Sequence, residues 1–145
     1  MKIATTSRVA ASRDAVFAAL IDPAVLQRAI PGCESFVAVG DDDYQATLRV
    51  GVAGLKGTYS GTAQIREKLP PESLRLSFAG KGGPGFVRGS AAVRLADDGG
   101  ATQIACEADV QVGGLIAAVG SRLVEAAARK LTDDFFSQLA REICA

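Results

Sequence analysis

Residues 55–69, LKGTYSGTAQIREKL, decide how the rest of the chain is read. Leu55, Gly57, Tyr59, Gly61, Ala63 and Ile65 alternate with Lys56, Thr58, Ser60, Thr62 and Gln64, the period of a strand with one apolar and one solvated face. Working outward, similar runs are broken by turn chemistry: SFVAV (35–39) before Gly40-Asp41-Asp42-Asp43, YQATLRVGV (44–52), SLRLSFAG (73–80) after Pro70-Pro71, FVRGSAAVRL (86–95) before Asp97-Asp98-Gly99-Gly100, and ATQIACEADVQV (101–112). Six strands in succession predict an antiparallel meander.

Residues 2 to 10 read as one further strand ahead of it. Ser12 caps a helix over 13 to 20, and Asp22 followed by Pro23 starts a second, because an N-cap carboxylate and a proline at the first helical position both suit a helix start. Pro31-Gly32 ends that helix and turns the chain into the meander. Near the C-terminus, Leu115, Val119, Leu123, Ala127, Leu131, Phe135 and Leu139 recur every four residues, which predicts one long helix. The order is that of an α+β helix-grip: a curved seven-stranded antiparallel sheet wrapped around a long C-terminal helix, with two short helices between strands 1 and 2. At 145 residues a single domain spanning 1–145 is expected.

Composition narrows the chemistry. Sixteen basic residues balance sixteen acidic ones, so there is no cationic surplus of the kind a nucleic-acid binder needs. No apolar run is long enough for a membrane span, the N-terminus lacks the apolar core of a signal peptide, and Cys33, Cys106 and Cys144 are too scattered for a disulfide framework or metal clip. A cytoplasmic protein is expected. The chain has no histidine, which excludes Ser-His and Cys-His nucleophiles and histidine-ligated metals.

The same alternation puts Tyr44, Ala46, Leu48 and Val50 inward, with Leu74, Leu76 and Phe78, and with Ile104, Cys106, Ala108, Val110 and Val112. No strand sends a charge inward. Glu107 and Asp109 share the solvent face with Gln111 and read as surface, and Cys106 reads as a small hydrophobe. The 80–85 stretch GKGGPG lacks the Lys-Ser/Thr signature of a phosphate loop and reads as a flexible hairpin tip that could act as a lid. Many inward residues are small, notably Gly57, Gly61, Ala63, Gly89, Ala91 and Ala108. They either let the sheet bend tightly onto the helix or leave room for an apolar guest, and both readings stand.

Asp22-Pro23 through Ile30-Pro31-Gly32-Cys33-Glu34, Tyr44 to Gly51, Lys56-Gly57, Gly61, and DVQVGGLIAAVGSRLVEAAARKL (109–131) before Phe135-Phe136 resemble the carbon monoxide dehydrogenase G-subunit family of the START-like (SRPBCC) superfamily. The resemblance implies a non-catalytic accessory role beside a molybdenum hydroxylase of the carbon monoxide dehydrogenase type. It also implies an apolar small molecule, a quinone or lipid, held without covalent attachment between sheet and helix. Membrane contact would be peripheral, by recruitment to the inner face, because the sequence ends directly after the helix with no anchor. The expected cavity wall comprises Leu26 and Ile30 from the second helix, Leu48, Val50, Tyr59, Gly61, Leu76, Phe78 and Val112 from the sheet, and Ile116, Val119 and Leu123 from the last helix. No metal or catalytic residue is expected. Two other readings remain: a polyketide cyclase/aromatase-like enzyme with Tyr59 as acid, and an interaction module whose interior is packed with its own side chains.

Overall fold

In a computed structural model that describes residues 1–52 and 55–144, the 55–69 stretch supplies β4 (Gly57–Leu69), third from one edge of an antiparallel sheet ordered β1-β7-β6-β5-β4-β3-β2. The other strands are β1 (Lys2–Val9), β2 (Cys33–Gly40), β3 (Asp43–Val50), β5 (Ser73–Gly82), β6 (Gly85–Asp98) and β7 (Ala101–Gly113). Neighbours in sequence are neighbours in the sheet, apart from β1, which pairs with β7. The helix-grip order predicted from the turn signals is the order observed.

Local chemistry explains the two short helices. In α1 (Arg13–Leu20) the Ser12 hydroxyl accepts from the Ala15 N–H, and in α2 (Pro23–Ala29) the Asp22 carboxylate accepts from the Ala24 N–H. At 30–32 the chain leaves α2 through Gly32, whose φ of 71° suits glycine. A Cβ at Gly32 would lie 2.0 Å from the Arg49 carbonyl oxygen, and the Gly32 carbonyl accepts from the Arg49 N–H at 2.8 Å. Ile-Pro-Gly is thus a buckle closing the α2 end of the sheet onto β3. The Asp41-Asp42 and Gly99-Gly100 turns join β2 to β3 and β6 to β7 as expected, with positive φ at Asp42, Gly99 and Gly100.

The C-terminal helix differs from its prediction. It is two helices, α3 (Leu115–Ala118) and α4 (Ser121–Cys144), separated at Gly120, where φ is 98°. A strict four-residue repeat also drifts by about 40° per step, so it cannot stay on one face. The buried residues of α4 are Val124, Ala127, Phe136 and Leu139, whereas Leu115 and Leu123 are 71% and 57% exposed. Leu123 therefore does not look back at the sheet. The 80–85 stretch is a hairpin tip, as read, but it is docked: the Pro84 carbonyl accepts from the Ile116 N–H of α3 at 2.9 Å.

Small residues let the sheet bend. Across it, Ala46, Gly61, Gly80, Val87 and Val112 are successive cross-strand partners, so three consecutive positions of this row carry a methyl group or nothing. A Cβ on Gly61 would lie 2.2 Å from the Ala79 carbonyl oxygen and 2.8 Å from Gly80 Cα. Gly61 is therefore dictated by backbone approach between β4 and β5, not by space reserved for a ligand. Gly61→Ala is expected to destabilise the protein by about 1 to 3 kcal/mol, as overpacking does. Gly51→Ala, where a Cβ meets nothing within 4 Å, should be near neutral, and chemical denaturation of the pair checks both.

Candidate functional site

The row of small residues divides the interior into two packed groups. The larger joins α1, α2 and the C-terminal half of α4 to the sheet, around Val16, Phe17, Leu26, Tyr44, Ile65, Ile104, Phe136 and Leu139. The smaller joins Val50, Leu55, Tyr59, Ile116, Val124 and Ala127, with Leu48, Val112, Val119 and Leu131 half-buried against it. Between them, on the concave face of β5, the middle strand of the sheet, stands Phe78; it belongs to neither group and is only partly buried. Its cross-strand neighbours are Ala63 and Gly89, and its Cζ lies 3.0 Å from where a Gly89 Cβ would be. An aromatic ring on the concave face of the middle strand, flanked by residues too small to cover it, marks the divide between the two groups.

The expected wall residues divide accordingly. Leu48, Val50, Tyr59, Val112, Ile116 and Val119 come together in the smaller group. Leu26, Ile30 and Leu76 pack with the larger one, so the α2 segment closes the far end rather than touching Tyr59. Phe78 and Gly61 lie on the divide, and Leu123 is outside. The sequence reading missed Val124, which is buried where Leu123 was expected, while Ala127 of the predicted stripe is buried as read; the Gly120-Ser121 pair was the available signal that the helical phase resets there.

Chemically the interior is plain. The Tyr59 hydroxyl donates to the Leu55 carbonyl at 2.7 Å, and burial raises its pKa above the ordinary value of 10.0. Its proton is thus held by the chain itself. Burial, and secondarily Glu107, raise the Cys106 thiol above 9.0, which keeps it protonated at neutral pH. Glu107 and Asp109 are solvent-facing, 3.8 Å from Arg94 and 3.7 Å from the terminal amine respectively. One buried side-chain oxygen among the described residues, Thr5 Oγ1, lacks a hydrogen-bond partner. No cluster of three or more metal-ligating side chains occurs among the described residues.

Among the described residues, two surface clefts stand out. One of about 440 Å³ lies beside the smaller group, where Val110, Val112 and Val124 meet Phe86 and Arg88. The other, of about 540 Å³ between β4, β5 and β6, is lined by Glu67, Lys68, Arg75 and Arg94 together with Leu69, Leu74 and Val93.

The family model for the G subunit of carbon monoxide dehydrogenase (CoxG) matches residues 6–144. The chain belongs to that family. No curated protein matches it. Among solved structures, this CoxG family chain is 32% identical to a conserved protein from Geobacillus kaustophilus, covering 99% of this chain and 95% of that one with a TM-score of 0.96. A START superfamily protein from Mycobacterium smegmatis is 13% identical, with 98% and 96% of the two chains covered and a TM-score of 0.77. The Zhui aromatase/cyclase from Streptomyces sp. R1128 is 20% identical, with 99% and 93% covered and a TM-score of 0.70. These last two share the fold.

Removing the Tyr59 hydroxyl tests its structural role. Tyr59→Phe leaves the Leu55 carbonyl without its donor and should cost about 1 kcal/mol at neutral pH. Because the folded state holds the Tyr59 proton more tightly than the unfolded chain, its contribution is full below about pH 10 and is lost as pH rises further. The Phe variant should therefore lose less stability than wild type above that pH, in urea titrations from pH 7 to 11.

Proposed function

We propose that this CoxG family protein holds an apolar small molecule, a quinone or lipid, between the sheet and the α3–α4 helices. It serves a molybdenum hydroxylase of the carbon monoxide dehydrogenase type as a non-catalytic accessory, by recruiting the enzyme or delivering its electron acceptor. The observation that carries this reading is Phe78, an apolar ring on the middle strand that neither packed group covers. The half-buried Leu48, Leu76 and Val112 around the same divide support it, since side chains in finished cores touch neighbours on all sides. A guest that is mostly hydrocarbon would gain about 25 cal/mol for each Å² it buries there, before ordering costs. The charge-free interior suits carriage.

The family model links the chain to carbon monoxide dehydrogenase by name. Among the described residues no helix is long and apolar enough to cross a membrane. Recruitment to the inner face of the membrane would thus act through the partner or the guest. Tyr59 gives the cyclase alternative little support, because its proton is already donated to Leu55.

Ala46 offers a way to fill the divide without touching the Gly61 backbone contact, since its side chain is on the concave face beside Gly61. Ala46→Leu should keep stability within about 1 kcal/mol of wild type and abolish the ligand that co-purifies with it, read by organic extraction and mass spectrometry. A wild-type protein that carries no quinone or lipid, together with a Leu variant destabilised by about 1 to 3 kcal/mol, would establish a packed interior and refute the carrier.

A further inference from the structure

The two edges of the sheet are finished differently. β1, at one edge, carries the exposed charges of Lys2 and Arg8, and from α4 the Arg129 Nη1 donates to the Ala4 carbonyl at 3.0 Å. Charged side chains of this kind keep an edge strand from pairing with another chain. β2, at the other edge, is guarded only at its start. There a bulge between Cys33 and Ser35 breaks the register with β3, Gln27 of α2 donates to the Glu34 carbonyl at 3.2 Å, and Cys33 Sγ donates to the Ser35 carbonyl at 3.2 Å. Phe36-Val37-Ala38-Val39-Gly40 has neither charge nor proline, and among the described residues no side chain bonds to its backbone. Val37 and Val39, on the convex face, are each 55% exposed. Alternate residues of an edge strand turn their N–H and C=O outward without a partner, so an edge left uncharged beside a guarded one admits a further strand.

The segment is complementary to itself. Laid antiparallel on a second copy about Val37, it pairs Val37 with Val37, Phe36 with Ala38 and Ser35 with Val39. The valines then meet on the convex face, and on the concave face the large Phe36 meets the small Ala38. Glu34 falls opposite Gly40, whereas a register centred on Ala38 would set Glu34 against Asp42, like charge against like. The carboxylates flanking the segment are already matched: Glu34 by Arg49 at 3.7 Å, Asp42 by Lys68 at 2.8 Å and Asp43 by Arg66 at 2.9 Å. With a formal net charge of zero, two copies do not repel at long range. Gln27, and α2 with it, sits at Glu34, about 10 Å along the strand from the centre of the pairing, so the helices of the two copies lie at opposite ends.

We propose that β2 is a homodimerisation edge, at which two copies pair antiparallel through residues 35–39 and join their sheets into one. α3 packs on β6 and β7, away from β2, so pairing leaves that side of each copy uncovered, and the proposal does not depend on the carrier reading.

The twofold axis sets two Val37 side chains side by side, which makes charge exchange at this residue the test, read by sedimentation equilibrium of the 145-residue chain up to about 1 mM. Wild type should form a dimer. Val37→Lys and Val37→Glu should each weaken it about tenfold, because like charges then face each other, and an equimolar mixture of the two variants should restore it to within about threefold of wild type. Both should keep the wild-type far-UV circular dichroism, and restoration on mixing cannot come from misfolded chains. Thr6→Lys, exposed on the guarded β1 edge, should leave the dimer unchanged. A wild type that stays monomeric throughout overturns self-pairing and leaves the edge to an extended segment of another protein. A dimer that both variants form as tightly as wild type, or one that mixing fails to restore, places the contact elsewhere and also overturns it.

Discussion

The close passage of β4 and β5 at Gly61 and Gly80 is the constraint on which the rest of the molecule depends. A side chain at Gly61 would hold the strands apart; without one the sheet bends, and the row from Ala46 to Gly80 offers the helices opposite no more than a methyl group. A core built on such a sheet cannot be continuous across that row. It forms instead on either side of it, and the apolar face left between, centred on Phe78, follows from the bend. The curvature answers to Gly61, and the guest we propose would lie along the row that this bend leaves thinly covered.

The two sides of the divide are built differently. The α2 side is anchored by two kinds of contact: Phe136 and Leu139 in the larger group, and the Arg28–Glu142 ion pair joining α2 to α4. The α3 side rests on a smaller group, a four-residue helix and a glycine elbow, tied to the sheet through the Pro84 hairpin tip. Fewer fully buried apolar contacts mean a lower cost of local opening, so the α3 side is where the interior is most cheaply reached. The cleft of about 440 Å³ lies on that side.

Strand order, inward faces, both short helices and their caps were legible because each rests on local chemistry: period-two alternation, Ser12 and Asp22 at helix starts, paired aspartates and glycines at turns. The family was legible from Ile-Pro-Gly-Cys-Glu and the Gly-Gly-Leu-Ile-Ala run. What was not legible depends on how distant elements meet. Gly61 read as concave, with close packing and room for a guest both open, and what its missing side chain answers to, Ala79 on another strand, is visible only in the fold. Leu123 fitted an apolar repeat, but Gly120 resets the helical phase and Val124 takes its place. The split of the wall between two groups follows from cross-strand register, which one strand's pattern does not carry.

The central claim is that an apolar guest lies against the divide rather than on the outer surface. Its most direct test is isotope-filtered NOE spectroscopy of the protein with dodecanoate, reading contacts from the ligand chain to assigned side chains. The account predicts contacts to the Phe78 ring and the methyls of Leu48 and Val112, and none to Leu115 or Leu123. Contacts confined to Leu115 and Leu123, with Phe78 silent, would contradict it.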